Sequence, residues 1–338
     1  MSTPPTDQNG IVAHPTLADV AAVAGVSIKT ASRVVNDQAN VTPKTAAKVR
    51  EAANLLGYRT NAIARELRGG PMSNLVGMII SDLFNPFYAG LASGAEERLT
   101  EAGHDLIIAT ARDDGARESA LIDSLLGRRV RGLLVVPSGK DYSYLHAERR
   151  RGFSFVFVDR PAPFFDADNV LVDNNGGMYE CVKYLANRGL KRIALIADHE
   201  SIWTAGQRIA GFNSALARLG LSKSDCQVIS GVHNENDAFL RITELVKSQI
   251  GVDGIIAAND LIAQGTLRGL RSVGRDIPII SFDDFPQASL LGVTTLDHDP
   301  QTIGRIAAGV LLDRFANPAG ENFVTTVMQL RVKEGGES

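Results

Sequence analysis

Apolar positions between Thr16 and Asn36 (TLADVAAVAGVSIKTASRVVN) recur at helical spacing. Leu17, Val20, Ala21 and Ala24 form the stripe of a first short helix. Gly25 supplies the backbone freedom of a turn, and Val26 plugs the angle between this helix and the next. Ser27 is a natural N-cap for a second helix, whose side chains Ile28, Lys29, Thr30, Ser32 and Arg33 are mostly polar or basic. A third helix is predicted from Val41-Thr42-Pro43, with Thr42 at the N-cap and Pro43 at the first helical position. Val49, Ala52, Ala53 and Leu56 make its buried stripe, and Gly57 closes it in a left-handed conformation. The first two helices form a unit that can lay a helix into the major groove of DNA. An ordinary surface hairpin has the same local pattern.

The segment Asn61–Leu67 (NAIAREL) is too short to hold a helix in water alone, and Arg68-Gly69-Gly70-Pro71 ends it. From Leu75 onward, short apolar runs alternate with amphipathic helical stretches. LVGMII (75–80), DLIIAT (105–110), GLLVV (132–136) and FSFVFVD (153–159) are the first strand candidates. A second series begins near Val170 and continues with RIALIA (192–197), DGIIAA (253–258) and IPIISF (277–282). β-branched runs this short, separated by helices, imply parallel sheets covered on both faces. Two series imply two similar lobes, with ligand at the carboxyl ends of the strands.

Charge sharpens this division. The chain of 338 residues carries a formal net charge of -3, which by itself argues against nucleic acid. Between Thr16 and Gly70, however, eight Lys/Arg face four acids, so a small basic head precedes an acidic body. Cys181 and Cys226 lie far apart without metal-ligand spacing, so no disulfide framework or metal site is expected and a reducing cytoplasm is. Residues 1–15 contain no apolar signal-peptide core and are expected to form a disordered arm. No apolar run approaches membrane-spanning length.

The succession TLADVAAVAGVSIKTASRVVN, VTPKTAAKVREAANLLGY and NAIAREL closely resembles the lactose/galactose repressor (LacI/GalR) family of transcription regulators. The resemblance extends through the body and implies an all-α helix-turn-helix head (16–60), a hinge helix and linker (61–72) and an effector-binding and dimerisation domain (73–338). That domain would have the α/β periplasmic-binding-protein-like fold, two doubly wound parallel-sheet lobes. Lobe one covers about 73–172 and 298–325, and lobe two about 173–297 and 326–338. The implied partners are double-stranded, pseudo-palindromic operator DNA, a sugar-like effector and a second copy of the chain, with no cofactor. By the same resemblance Ile28, Lys29 and Arg33 read bases, and Arg33 can set two donors on one guanine. Ile28 and Lys29 depart from the aromatic-glutamine pair of the lactose repressor, which implies a different half-site. Thr16, Ser27, Thr30, Ser32, Asn36, Thr42, Thr45, Tyr58 and Asn61 suit phosphate contacts. Ala64 and Leu67 match the minor-groove residues of the hinge helix, Leu67 the leucine that wedges open a base step.

The effector positions implied are Asp82, Phe84, Asn85, Phe87, Arg160, Asp173, Trp203, Arg208, Asn259 and Asp283. Their carboxylates, amides and guanidinium groups suit paired hydrogen bonds to adjacent hydroxyls, and the aromatic rings suit a sugar face. Two other functions share the body pattern. A transporter's solute-binding protein needs a signal peptide and no head. A glycosidase needs a second carboxylate opposite Asp283, and no such pair, nucleophile or metal motif is present in the sequence. The expected function is a ligand-responsive repressor of carbohydrate-utilisation genes, not an enzyme.

Overall fold

The computed structural model describes residues 15–36, 41–59, 73–248, 251–318 and 322–335. The chain divides into two compact units, Met1–Met72 and Ser73–Ser338. In the first unit lie α1 (Leu17–Ala24), α2 (Ile28–Val35) and α3 (Pro43–Leu56). Each begins at a capping hydroxyl. Thr16 caps α1 reciprocally: its hydroxyl accepts from the Asp19 N–H, and the Asp19 carboxylate accepts from the Thr16 N–H at 2.8 Å. The hydroxyls of Ser27 and Thr42 accept from the Thr30 and Thr45 N–H groups. Gly25 and Gly57 close α1 and α3 at φ 65°, a conformation that disfavours any Cβ. Val20, Ala21, Ala31, Val34, Val49 and Ala52 form one small core, with Leu17, Val26, Leu56 and Tyr58 packed around it. The first two helices are therefore not an isolated hairpin, because α3 completes their core.

The second unit holds two sheets. The first contains β1 (Leu75–Ile80), β2 (Asp105–Thr110), β3 (Gly132–Val135), β4 (Ser154–Val158), β5 (Asp168–Val172) and β11 (Thr325–Met328). They lie in the order β11-β5-β4-β3-β1-β2, all parallel. The second contains β6 (Ile193–Ile196), β7 (Gln227–Ile229), β8 (Gly254–Ala257), β9 (Ile279–Ser281), β10 (Thr294–Asp297) and β12 (Arg331–Lys333). Its order is β12-β10-β9-β8-β6-β7, parallel except for β12, which runs against β10. Both central orders are those of a doubly wound sheet, with the switch point between β1 and β3 in one lobe and between β6 and β8 in the other.

Helices α4 (Pro86–Glu101) and α5 (Gly115–Gly127) and the short α6 (His146–Arg150) belong to lobe one. Helices α7 (Asn174–Asn187), α8 (Trp203–Arg218), α9 (Glu235–Lys247) and α10 (Asp260–Ser272) belong to lobe two. Helix α11 (Pro300–Ala316) returns to lobe one and packs on α4. Gly304 allows this contact, since a Cβ there would stand 2.0 Å from the Leu91 carbonyl oxygen. Among the described residues no helix is long and apolar enough to cross a membrane.

Two expectations need correction. The VLVDN run does not open the second series. It forms β5, which pairs with β4 and closes the first sheet, because a short loop rather than a helix joins the two strands and the strand-helix alternation breaks there. The last crossing also falls later than the expected 325/326 boundary: Thr325–Met328 pairs with β5 in lobe one, and only Arg331–Lys333 joins lobe two.

Candidate functional site

The carboxyl ends of both sheets converge on a cavity of about 280 Å3. Lobe one contributes the residues after β1 (Ser81, Asp82, Asn85, Phe87, Tyr88), after β2 (Arg112, Asp113) and after β4 (Asp159, Arg160). Lobe two contributes the residues after β6 (Asp198), after β7 (His233, Asn234), after β8 (Asn259) and after β9 (Asp283), and Thr204 and Arg208 of α8.

Two buried guanidinium groups organise the walls. Arg160 donates through Nη1 to Asp113 Oδ1 at 2.6 Å and to the Pro137 carbonyl at 3.1 Å, and through Nη2 to the Tyr88 hydroxyl at 3.0 Å. Its Nε lies 3.5 Å from Asp159 Oδ2. Arg208 donates through Nε to Asn174 Oδ1 at 2.8 Å and through Nη1 to the Ala258 carbonyl, while Nη2 lies 3.4 Å from Asp283 Oδ1. The plane of Arg208 stands 3.8 Å from the centre of the Phe282 ring. His298 places Nε2 3.3 Å from the same Asp283 oxygen and packs on Phe87, with ring centroids 5.5 Å apart. His298 thus touches groups of both lobes from the segment between β10 and α11, where the chain crosses between them.

The backbone is strained at this site. Arg112, Asp113 and Asp159 all have positive φ, at 57°, 54° and 69°. Such conformations cost free energy in non-glycine residues and cluster where surrounding bonds over-determine them. Here the Ser81 hydroxyl and Arg160 hold Asp113.

Charge follows from burial and partners. Burial pushes the Asp283 carboxyl up, but Arg208 and His298 outweigh it and hold it below the ordinary range. Asp113 is likewise held low against its burial by Arg160 and Ser81. For Asp159 burial wins, and its carboxyl is raised despite Arg160 and Arg208. Behind the cavity, burial and then the charge of Asp283 push Asp260 up to about 7.

That last shift has a measurable consequence. Between about pH 4 and 7 the folded protein keeps a proton on Asp260 that the unfolded chain has lost, so this group's contribution to stability falls as pH rises through that window. Asp260→Asn keeps the shape and removes the charge. Its urea-unfolding stability relative to the parent should therefore improve from pH 5 to pH 8, by about 1–3 kcal/mol. Parallel pH profiles for the two proteins would remove this account of Asp260.

Of the expected effector residues, Asp82, Asn85, Phe87, Arg160, Arg208, Asn259 and Asp283 line the cavity. Three do not. Phe84 is 90% exposed, turned outward where its N–H bonds to the Asp82 carboxylate. Asp173 is spent on capping α7, accepting from the Gly176 N–H at 2.8 Å. Trp203, in the first turn of α8, does not reach the lining, which takes its neighbours Thr204 and Ala205 instead. Asn85 and Asn259 also cap, for α4 and α10. Ser81, Tyr88, Arg112, Asp113, Asp198 and His233 were not among the expected residues. The carboxyl-end rule, applied after β2 and β6 as it was after β1 and β4, points to Asp113 and Asp198. His233 follows β7, a three-residue strand with no apolar run to announce it.

In the head, α2 turns Ala31 and Val34 into the core and leaves Ile28 56% exposed, with Lys29 and Arg33 also exposed. Thr16, Ser27 and Thr42 act as caps, and the hydroxyls of Thr30 and Thr45 lie 2.9 Å from those of Ser27 and Thr42. Asn36 ends α2 and donates to the Ser32 carbonyl at 2.8 Å, and Tyr58 is half-buried on the core. Asn61, Ala64 and Leu67 lie outside the described residues.

Comparison with known proteins decides the family. Residues 16–61 match the model for bacterial regulatory proteins of the lacI family, and residues 73–322 match that for periplasmic binding proteins and the sugar binding domain of the LacI family. The chain belongs to the LacI family. Within that family it is 32% identical to the transcriptional regulator CelR of Thermobifida fusca, over 96% of this chain and 98% of that one. It is 30% identical to the ribose operon repressor of Escherichia coli K12, over 90% and 94%. The lac repressor dimer bound to operator and the anti-inducer ONPF superposes with a TM-score of 0.82 at 25% identity, covering 96% of this chain and 99% of that one. A CelR–cellobiose complex superposes at 0.67 with 29% identity, over 95% and 100%. As a LacI-family protein the chain is a bacterial transcriptional regulator with a DNA-binding head and a two-lobed domain of the sugar-binding type, and not an enzyme.

Proposed function

We propose that the effector of this LacI-family protein is a neutral sugar, bound in the cleft of each subunit of a cytoplasmic homodimer on a pseudo-palindromic operator. One observation carries the choice of a neutral ligand. Asp82, Asp113, Asp159, Asp198 and Asp283 line the cavity, and each buried guanidinium already faces carboxylates: Arg160 stands 2.6 Å from Asp113 and, without a hydrogen bond from Nε, 3.5 Å from Asp159, and Arg208 stands 3.4 Å from Asp283. A phosphate or carboxylate would meet guanidinium groups that are already neutralised, beside a surplus of acceptors. Sugar hydroxyls donate to such carboxylates and accept from the same guanidinium forks. Arg208, Asp283 and Asp113 are the anchors in this reading.

In the head, Ile28, Lys29 and Arg33 read bases, and Thr16, Ser27, Thr30, Ser32, Asn36, Thr42, Thr45 and Tyr58 position the backbone. The exposure of Ile28, Lys29 and Arg33 on one helix supports this. A homodimer supplies two such heads, as a palindrome requires. His298 supplies a physical link, because a ligand that engages Asp283 acts directly on the crossing segment between the lobes. The effector shifts the lobe arrangement only by its difference in affinity for the two arrangements.

The test is a thermal-shift screen, followed by calorimetric titration, of neutral mono- and disaccharides against their phosphorylated and uronic acid counterparts. A ligand that binds only the folded state raises the melting temperature. A neutral sugar should bind at least tenfold more tightly than its anionic counterpart. Tighter binding of the anion would overturn the proposal.

A further inference from the structure

Six arginines gather at the end of sheet one opposite the cleft. Arg128, Arg129 and Arg131 precede β3, and Arg149, Arg150 and Arg151 precede β4, its neighbour in the sheet. This is also the end at which the chain arrives from the head: the Arg131 N–H donates to the carbonyl of Leu75, the first residue of β1, at 2.7 Å. Arg128, Arg129, Arg150 and Arg151 are exposed. Arg131 and Arg149 are half-buried and held by rings, 4.7 Å from the centre of Phe315 and 5.0 Å from that of Phe165. Among the described residues only Arg151 of the six makes an ion pair, with Glu148. The acids at the same end include Asp105, Glu148, Asp166, Asp168, Glu101 at the close of α4 and Asp313 at the close of α11, of which Arg314 already neutralises Asp168 and Arg305 Glu101. So many unpaired cations at one end of an otherwise acidic body are costly in self-repulsion unless a polyanion meets them.

We infer that this arginine end of lobe one contacts the phosphodiester backbone of DNA held by the head, adding sequence-independent affinity that the helix-turn-helix does not supply. Residues 60–72 connect the two units, and at no more than about 3.6 Å per residue they keep Arg59 of the head within about 50 Å of Ser73. The charge is of the right sign, and arginine forks match phosphate oxygens. The contact is separate from base reading and from the effector cleft.

Backbone contacts release counterions, so each one lost flattens the plot of log affinity against log salt by about 0.9. The full-length variant R128Q/R129Q/R150Q/R151Q is to be titrated with a labelled 40-base-pair duplex of random sequence by fluorescence anisotropy, from about 50 to 300 mM KCl. A slope shallower by about 1 or more is expected, with at least a tenfold loss of affinity at 100 mM KCl and an unchanged melting temperature. The pair R271Q/R275Q, on exposed arginines of lobe two, should leave the slope unaltered. Should the quadruple variant melt early, R128Q/R129Q and R150Q/R151Q are to be measured separately, each with a smaller change in the same direction. A parental slope in the arginine variants, or an equal change in the lobe-two control, overturns the inference and leaves these arginines to an acidic protein or to no partner.

Discussion

Arg208→Ala should bind operator as the parent does and no longer respond to effector. Arg208 is 7% exposed, and its three nitrogens hold Asn174, the Ala258 carbonyl and Asp283 in one frame. Its removal leaves the Asp283 carboxylate buried with His298 alone beside it, and leaves the face of Phe282 uncovered. Breaking this buried pair costs the fold about 3–5 kcal/mol, and losing a charged donor to the sugar, about 1.5–3 kcal/mol, should lower effector affinity by a factor of about 10 or more. Arg208→Lys retains the charge but not the planar fork, so it should restore only part of the affinity. The check is calorimetric titration of each variant with the sugar that the screen identifies, beside operator binding with and without that sugar. A parental response from Arg208→Ala would remove this residue from the site.

The second large effect belongs to the head. Arg33→Ala should lower operator affinity far more than affinity for random duplex. Arg33 is exposed on the outer face of α2, outside the core formed by Ala31 and Val34, so alanine leaves the helix intact. A bidentate arginine–guanine pair contributes about 1–3 kcal/mol of discrimination, and a dimer makes it twice. The expected loss is therefore about 2–6 kcal/mol on operator, roughly 30-fold to more than 10,000-fold. On random duplex the variant should lose only a phosphate-range attraction. Equal losses on both DNAs would make Arg33 a backbone contact and not a reader of bases.

The head was legible almost residue by residue, for a physical reason. Its helices begin at Thr16, Ser27 and Thr42 and two of them end at Gly25 and Gly57, and those caps are local bonds that neighbouring residues make. Most buried central strands were legible too, because burial on both faces leaves them as continuous apolar runs such as LVGMII and IALI, whereas β10, buried but reading TTLD, carries no such run. Three of the four edge strands were not legible, while the fourth, β2, shows as the apolar run DLIIAT. β7, β11 and β12 are short and half-exposed, and what makes them strands is pairing with residues distant in the chain, as Thr325 pairs with Asn169. The same limit applies to the cleft. Asp113 and Asp159 face one guanidinium from different strand ends, and no spacing along the chain announces that meeting. Asp173 shows the converse, a carboxylate at a strand end whose valence a helix cap consumes.

The central claim is that occupation of the cleft and occupation of the operator are one coupled equilibrium. Coupling of this kind is reciprocal: the factor by which effector changes operator affinity must equal the factor by which operator changes effector affinity. Both should be measured on the full-length protein, operator affinity by anisotropy with and without saturating sugar, and sugar affinity by calorimetry with and without saturating operator. The account predicts the same factor in both, about 5- to 150-fold. A sugar that binds the cleft and leaves operator affinity unchanged would contradict it.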